Sequence, residues 1–454
     1  MLNWLMRLFG KKPREHVAET VSRVQPDSEP EPGHAAYLGR SPILNRKLAV
    51  VGYEFRAQSM PGSERKSDDA QLLDRLTQPG NIMFTSRRLT FIPLHPLSLL
   101  LPQVEQLPPD SLVLYLDAPA EAISQEQAEA LLARVEHLRL QGYAIAVEQA
   151  VGQGTLGPLL AIANYIGIDV KGGDPLWLLE QQKHCAAAHP NSQLIARNID
   201  SLEMLDACRR LSFQFFHGNY LTNKREWDQP RADGSRAIIL ELIGHLQQED
   251  VDFKRLARTA SQDLSLYYRL LRYANSAAFG LNKKYDSLEQ AMVLLGQQGL
   301  RNWLTLMLFC SSKSGELDVA LQETAFTRAR LVELLAQEKY SRAECEQAFL
   351  VGLLSLVDTL FQMPLPDVLQ QLALPEPVMD ALLNHSGPYG KYLSLAVACE
   401  KGYESAVDEL AKECGLNSQQ VNAKQLAALH WALEFNEQLD ESEQTEPAAG
   451  ETAG

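Results

Sequence analysis

The stretch that decides the fold of the second half of the chain reads Ser261-Gln262-Asp263, Tyr273-Ala274-Asn275-Ser276-Ala277-Ala278-Phe279-Gly280, Ser287-Leu288-Glu289-Gln290-Ala291 and Leu294-Leu295-Gly296. Apolar residues recur around it at helical spacing, and short connections between amphipathic helices predict a bundle. A turn between two helices is predicted at Asn275, Ser276 and Gly280, and the second helix is predicted to end at Gly296. These four residues serve either the structure alone or the binding of a ligand or partner, and the sequence leaves both open.

The same stretch closely resembles the core signature of the HDOD family, the helical output domain of bacterial signalling proteins. The family is related to HD phosphohydrolases, which carry a metal-binding His-Asp pair. The best-matching run here is Gly352-Leu353-Leu354-Ser355-Leu356-Val357-Asp358, with Val357 in the place of the histidine. The resemblance therefore implies a helical domain that has lost the metal pair and acts by binding regulatory proteins.

The first half of the chain alternates short strand-like runs with helical ones. Runs such as Leu112-Val113-Leu114-Tyr115-Leu116 are apolar and β-prone, and a helix rich in Glu, Gln, Ala and Leu spans about 124–140. Strands separated by helices favour a parallel α/β sheet or barrel. Residues 37–223 are few for a complete barrel of about 250 residues, so we expect one or two βα units to be missing or distorted.

This half resembles the EAL domain, a TIM-barrel-like fold whose active members hydrolyse cyclic di-GMP with carboxylates, an asparagine and two divalent metals. Compared with the family motifs, Glu54 is retained and Lys171 matches the lysine of the site. At other positions the chain departs from the motifs. Gln58 stands where the family has an arginine, Pro93 where it has the asparagine, and Tyr115 and Ala118 where it has glutamates. Glu148-Gln149 replaces the paired aspartates, Asn198 lies in a run without the expected glutamate, and His217-Gly218-Asn219-Tyr220 replaces the closing motif. Asp117 lies close enough to leave the register of one motif open. The resemblance implies a degenerate barrel with no catalytic residue, no metal site and no cofactor, because two-metal cleavage needs several anionic oxygen ligands.

Three weaker motifs compete with this interpretation. Gly152-Gln153-Gly154-Thr155-Leu156-Gly157 fits a dinucleotide-binding pattern, but it lies late in its domain and favours a loop. His184, Cys185 and His189 make an incomplete metal-ligand set, and we expect Lys183 and His184 in a solvated loop. His385 precedes Ser386-Gly387-Pro388 and is predicted to lie at a turn or helix end.

Charge and composition limit the partners. The formal net charge is −15, which opposes direct binding to nucleic acid. Six scattered cysteines without a Cys-x-x-Cys pair indicate reduced thiols and a cytoplasmic location. Residues 1–9 are apolar, with Leu2, Leu5, Met6 and Phe9 on one helical face, so they form a docking or partly ordered tail or a weak membrane contact.

The predicted divisions are a tail and linker at residues 1–36, a degenerate EAL-like domain at 37–223, an HDOD domain at 228–430 and a disordered acidic tail at 437–454. The leading hypothesis is a noncatalytic, cytoplasmic bacterial signalling adaptor that binds proteins within cyclic di-GMP-related control of motility, biofilm or stress. Two alternatives stay open: a residual cyclic di-GMP phosphodiesterase, and a receptor that binds the nucleotide without hydrolysis.

Overall fold

The computed structural model describes residues 37–58, 65–77, 88–119, 121–221, 234–246, 251–275, 285–310, 318–372, 374–401 and 404–444. The boundary predicted between residues 223 and 228 lies outside this part of the chain. None of the described helices is long and apolar enough to cross a membrane.

Eight strands close into a barrel in chain order. They are β1 (Tyr37–Asn45), β2 (Val50–Gln58), β3 (Leu89–Leu94), β4 (Leu112–Leu116), β5 (Ala144–Glu148), β6 (Tyr165–Asp169), β7 (Gln193–Ile199) and β8 (Phe215–Gly218). Strand β1 runs antiparallel to both β2 and β8, whereas every other neighbouring pair is parallel. The predicted α/β barrel is confirmed.

All eight strands are present, so no strand is missing from the barrel. The expectation of distorted βα units is met instead in two of the connections between strands. Strands β1 and β2 form a hairpin without a helix. Three 3-10 segments, Pro96–Leu100, Pro102–Gln106 and Pro109–Ser111, replace the helix between β3 and β4. A proline opens each of them, because its fixed φ suits a first helical position and it has no N–H to leave unbonded.

The described part of the barrel half contains five α-helices: α1 (Arg65–Leu76), α2 (Gln125–Leu140), α3 (Pro158–Ile162), α4 (Pro175–Ala188) and α5 (Leu202–Arg210). The helix predicted at 124–140 is confirmed as α2, which Ser124 and Gln127 begin with a capping box. Lys183 and His184 lie on α4 rather than in a loop, although both are exposed as expected. Asp174 accepts hydrogen bonds from two backbone N–H groups at the start of α4, which explains why the helix forms there.

The second half of the chain is helical. Its helices are α6 (Gly234–His245), α7 (Phe253–Ala260), α8 (Leu264–Ala274), α9 (Leu288–Cys310), α10 (Asp318–Ala336), α11 (Arg342–Leu354), α12 (Val357–Phe361), α13 (Leu365–Leu369), α14 (Glu376–Asn384), α15 (Gly387–Lys401), α16 (Glu404–Cys414) and α17 (Ser418–Gln444). The apolar positions that predicted these helices form one core. Helix α17 continues to Gln444, so the disordered tail predicted from residue 437 begins too early; its Glu and Gln residues are good helix formers.

The two halves are in contact. The β1–β2 hairpin packs against α15 and α17. Ala320 of α10 and Leu429 of α17 are buried within the apolar core of the barrel. Arg88, just before β3, forms an ion pair with the buried Glu323 of α10. The barrel and the helical half therefore share apolar and charged contacts.

Candidate functional site at the open end of the barrel

Alternation along the strands carries charged side chains to one end of the barrel interior. Phe91, Val113, Tyr115, Ala146 and Ile195 form a small apolar cluster inside the barrel. Side chains two residues apart on a strand share a face. The inward positions therefore continue from Tyr115 to Asp117 after β4, from Ala146 to Glu148 on β5, and from Ile195 to Arg197 on β7. The carboxyl ends of the parallel strands thus bring acidic and basic groups together at one opening.

Arg197 lies at the centre of this group and is only 4% exposed. Its Nη2 donates to Glu54 Oε2 at 2.5 Å. Its Nη1 donates to Glu148 Oε2 at 3.1 Å and to Asp117 Oδ1 at 3.3 Å. One guanidinium therefore binds three carboxylates that come from three different places in the sequence.

The barrel interior is shaped to accept this arginine. The guanidinium carbon lies 4.1 Å from the centroid of the Tyr115 ring. The Tyr115 hydroxyl donates to Glu148 Oε2 at 2.5 Å. A Cβ on Gly167 would lie 1.7 Å from the Tyr115 hydroxyl oxygen and 2.9 Å from Arg197 Cδ. Glycine at 167 is thus required by the close packing of Tyr115 and Arg197.

Two further arginines lie nearer to solvent. Arg56 is 38% exposed and contacts Glu54 Oε1 and Asp117 Oδ2, each at 3.2 Å. Arg65 on α1 contacts Asp117 Oδ2 at 3.3 Å and also donates to the carbonyl oxygen of Pro93. The opening therefore has a buried arginine inside and two half-buried arginines at its rim.

Burial and charge shift the pKa values in this site in different directions. Burial alone would raise the pKa of Glu54, but Arg197, His217 and Arg56 together lower it to about 2. Burial raises the pKa of Glu148, and Arg197 offsets only part of that rise. Burial opposes the charge on Arg197, yet Glu54 and the other acidic groups raise its pKa well above the usual value. Glu54 and Arg197 are therefore both charged at neutral pH.

His217 on β8 faces the same group. Its Nε2 lies 3.8 Å from Glu54 Oε1, and neither ring nitrogen has a hydrogen-bond partner in the described part of the protein. Burial lowers the pKa of His217 to about 4, although Glu54 acts in the opposite direction. The imidazole is consequently neutral at neutral pH and points into the carboxylate cluster.

The arrangement does not fit the divalent metals that the EAL resemblance implies. Among the described residues, no three His, Cys, Asp or Glu side chains form a group that could hold a metal ion. Glu54, Asp117 and Glu148 are spread over the two terminal nitrogens of one guanidinium rather than around a single point. A divalent ion needs its oxygen ligands at 2.0 to 2.6 Å from one centre, roughly, depending on the metal.

The other positions from the motif comparison lie around the same opening or beyond it. Lys171 is exposed in the loop after β6. Gln149 binds Gln181 on α4. Asn198 has a positive φ of 59° where the β7–β8 register shifts. Gln58 ends β2, and its side chain lies outside the described part of the structure.

The competing motifs have structural roles where they can be described. Residues 149–153 form a 3-10 turn after β5, and Gly157 precedes a helix of only five residues, so the glycine pattern is in a loop. Cys185 is buried on α4, whereas His184 is exposed. His385 ends α14 in the left-handed conformation, with φ 52°, as predicted for a helix end. All six cysteines are buried and none forms a disulfide.

The HDOD signature residues are only partly described. Asn275 ends α8, and its side-chain amide donates to the Tyr285 carbonyl and accepts from the Tyr285 N–H, each at 2.7 Å. Gly296 has φ 66° and ψ 173°, which interrupts α9 with a kink. Ser276 and Gly280 lie outside the described residues. Their predicted role in binding a partner stays a prediction.

The run that resembles a broken HD motif spans the end of α11 and the start of α12. Val357 is fully buried. Arg328 on α10 binds Glu400 and the Ser355 hydroxyl beside this run. Burial raises the pKa of Asp358, and hydrogen bonds from Thr359, followed by the charge of Arg328, partly oppose that rise. Val357 itself offers only an apolar side chain at the position of the missing histidine.

Residues 236–376 match the model of the HDOD domain. Across nearly its whole length, the chain is also similar to two curated proteins. The protein named cyclic di-GMP phosphodiesterase CdgJ, from Vibrio cholerae, is 26% identical over 89% of this chain and 94% of that protein. The uncharacterized protein YuxH, from Bacillus subtilis, is 25% identical over 87% of this chain and 97% of that protein.

Solved structures similar to the chain include a standalone EAL protein from Vibrio cholerae in its c-di-GMP-bound form. It has 12% identity and a TM-score of 0.34, covering 42% of this chain and 92% of that one. BlrP1 from Klebsiella pneumoniae, in a manganese and cy-diGMP complex, has 16% identity and a TM-score of 0.33. The match to BlrP1 covers 42% of this chain and 56% of that structure.

The chain has a closed eight-stranded barrel followed by a helical half that contains the match to the HDOD domain, in the order that the sequence predicts. It is similar over nearly its whole length to a protein named a cyclic di-GMP phosphodiesterase. The prediction that it is not an enzyme is contradicted, because a relative aligned over nearly its full length is named a phosphodiesterase. By its motifs the barrel retains one acidic residue, Glu54, whereas the fold brings Asp117 and Glu148 beside it. Strand alternation from Tyr115 to Asp117 was the signal that could have fixed the register.

Proposed function

We propose that this chain is a signal-transduction protein of a cyclic di-GMP network whose HDOD domain passes the signal on by binding other proteins. The observation that carries the proposal is the match of residues 236–376 to the HDOD domain in a chain related to a cyclic di-GMP phosphodiesterase. Among the described residues of the HDOD domain, no group of three His, Cys, Asp or Glu side chains could hold a metal ion. A contact surface is the output that we propose for this domain.

An exposed apolar face on α8 supports a contact surface in this domain. Leu264 and Tyr268 are 58% and 57% exposed. They are four residues apart and so lie on the same side of the helix. Large apolar side chains exposed side by side favour a protein contact over an isolated surface residue. This pair identifies the face where we expect regulatory proteins to bind.

The test compares the set of proteins captured by the full chain with the set captured by its double variant Leu264→Lys, Tyr268→Lys. We expect a defined set of proteins to be lost from the double variant, because charge is placed on the apolar face while the buried side of α8 is unchanged. Leu140→Lys is the matched control, since Leu140 is exposed on α2 of the barrel. Equal capture by the double variant and the wild type would contradict the proposal, as would equal loss in the Leu140→Lys control.

A second candidate function is hydrolysis of cyclic di-GMP at the barrel opening. The name of the Vibrio cholerae relative favours it, and Glu54, Asp117 and Glu148 are the acidic groups available there. The test is incubation of the purified chain with cyclic di-GMP and Mg²⁺ or Mn²⁺, with chromatography of the products. Turnover that is lost in Glu54→Gln would support this function. Turnover that persists in Glu54→Gln would assign the activity elsewhere or to a contaminant.

A further inference from the structure

The positive charge between the carboxylates of the barrel opening comes from a side chain of the protein, Arg197. Arg197 is 4% exposed, and its two terminal nitrogens bind Glu54, Asp117 and Glu148. Arg56 and Arg65 also touch these carboxylates, but both are partly exposed and lie at the rim. Arg197 is thus the one of the three arginines that occupies the interior between the acidic groups.

The residues that surround the Arg197 guanidinium favour a positive charge at its position. The Tyr115 ring lies against the guanidinium, and glycine at 167 leaves the room for Arg197 Cδ. The neutral His217, 6% exposed and without a hydrogen-bond partner in the described part of the chain, points at Glu54. Carboxylates and an imidazole are also groups that bind divalent transition metals. The same pocket therefore has the donors for a metal ion, held apart by an arginine.

We propose that the guanidinium of Arg197 is the resident cation of this pocket and that Arg197 and a divalent cation exclude one another there. A metal ion between Glu54, Asp117 and Glu148 would stand where the guanidinium of Arg197 now stands, and two cations cannot occupy one position. Without the arginine charge the carboxylates repel one another, and a divalent cation in the vacated position relieves that repulsion by drawing their oxygens around it. Loss of Arg197 therefore opens a latent divalent-cation site.

The experiment counts Mn²⁺ bound to the full chain by electron paramagnetic resonance at neutral pH. The wild type should bind no Mn²⁺ in the pocket. Weak binding of Mn²⁺ elsewhere on the protein should therefore be the same in the wild type and in Glu148→Gln. Arg197→Met keeps much of the side-chain length without the charge, and should bind one Mn²⁺ about tenfold or more tightly than any site on the wild type. Arg197→Lys keeps the charge and should not gain the site.

Two controls separate this effect from general damage. Arg134→Met removes another barrel arginine paired with an acidic residue, Glu105, and should gain no Mn²⁺ site. The double variant Arg197→Met, Glu148→Gln should lose the gained site. A thermal melt with Mn²⁺ and with a chelator gives a second measurement, in which only Arg197→Met should be stabilised by the metal.

Three results would overturn the proposal. One is a Mn²⁺ site on the wild type that is lost in Glu148→Gln, because the arginine would not then exclude the metal. Another is a folded Arg197→Met variant that binds no more Mn²⁺ than the wild type. If Arg197→Met does not fold without metal, failure of Mn²⁺ to restore its circular dichroism spectrum would equally reject the latent site.

Discussion

The charge on Arg197 is costly to bury, and its carboxylate contacts offset that cost. A buried ion pair contributes little net stability compared with a well-packed apolar residue, because both partners lose their hydration. Retaining Arg197 with Glu54 and Glu148 in the barrel is therefore poorly explained by stability alone. The cluster instead fixes which groups are charged at the opening: Glu54 is held ionised, with its pKa lowered to about 2, whereas His217 is held neutral.

At the residue scale, His217 should make folding stability depend on pH. Its pKa is about 4 in the folded protein and 6.5 when exposed, so below pH 6.5 the unfolded chain takes up a proton that the folded chain does not. Stability should fall as the pH drops from 6.5 to 4 and then level off for this group. At about pH 4.5 the loss is about 2 to 3 kcal/mol.

Urea unfolding of the wild type and His217→Gln at pH 7 and at about pH 4.5 measures this effect. The loss of stability on acidification should be smaller in His217→Gln by the stated amount. His137→Gln is the control, since His137 is exposed on α2. An identical pH dependence in the wild type and His217→Gln would show that His217 is not the group responsible.

Glycine 167 gives a second prediction at this scale. Gly167→Ala should destabilise the barrel by about 1 to 3 kcal/mol, because the new methyl group would overlap Tyr115 and Arg197. Gly154→Ala is the matched control: a Cβ there meets nothing within 4 Å. Chemical unfolding should separate the two variants clearly. Equal stability of Gly167→Ala and Gly154→Ala would mean that the packing around Arg197 is looser than described.

At the scale of elements, Asn275 joins the end of α8 to the chain just before α9. Its amide group makes two hydrogen bonds to the backbone of Tyr285, ten residues later. A single side chain therefore closes the connection that carries most of the HDOD signature. This is a physical reason for an asparagine at 275, since its amide donates through the nitrogen and accepts through the oxygen at the same time.

We expect Asn275→Ala to cost about 1 to 3 kcal/mol of stability, because it leaves backbone groups of Tyr285 without these partners. Asn275→Asp keeps the acceptor and loses the donor, so its effect should be intermediate. Asn302→Ala, which removes an exposed contact with Gln298 on α9, should be nearly neutral. Thermal and urea unfolding would test this order of stabilities. If Asn275→Asp is as stable as the wild type, the hydrogen bond that Asn275 donates to the Tyr285 carbonyl contributes nothing to stability.

At the scale of the whole molecule, the barrel and the helical half meet through the β1–β2 hairpin. Leu429 of the last helix is 5% exposed and lies in the apolar core of the barrel, together with Ala320. The ion pair between Arg88 and Glu323 crosses the same boundary. Burying apolar surface across a boundary couples the stabilities of the two sides.

Leu429→Ala should therefore destabilise both halves, by about 2 to 5 kcal/mol for a buried leucine. Hydrogen exchange measured by mass spectrometry should show faster exchange in β1 and β2 as well as in α17. Leu140→Ala, on an exposed position of α2, should leave exchange unchanged. Faster exchange confined to α17 would mean that the two halves fold independently of this contact.

The sequence by itself determined the architecture. Helical periodicity and the signature around Asn275 identified the HDOD domain, and alternating strands and helices identified the barrel, because both patterns are local. The sequence did not determine the number of strands or the closure of the barrel, since the pairing of β1 with β8 joins residues far apart in the chain. The three 3-10 segments before β4 likewise replaced an expected helix.

Only the tertiary structure decided the candidate site. Taken position by position, the motifs indicate lost ligands, and no local pattern predicts that Arg197, Asp117 and Glu148 meet Glu54 inside the barrel. Strand register and barrel closure bring these residues together, although Glu54 and Arg197 are 143 residues apart in the chain. Charge balance at the opening depends on those distances, because electrostatic interaction falls with separation and strengthens with burial. The sequence contains the four residues, and the fold makes them one site.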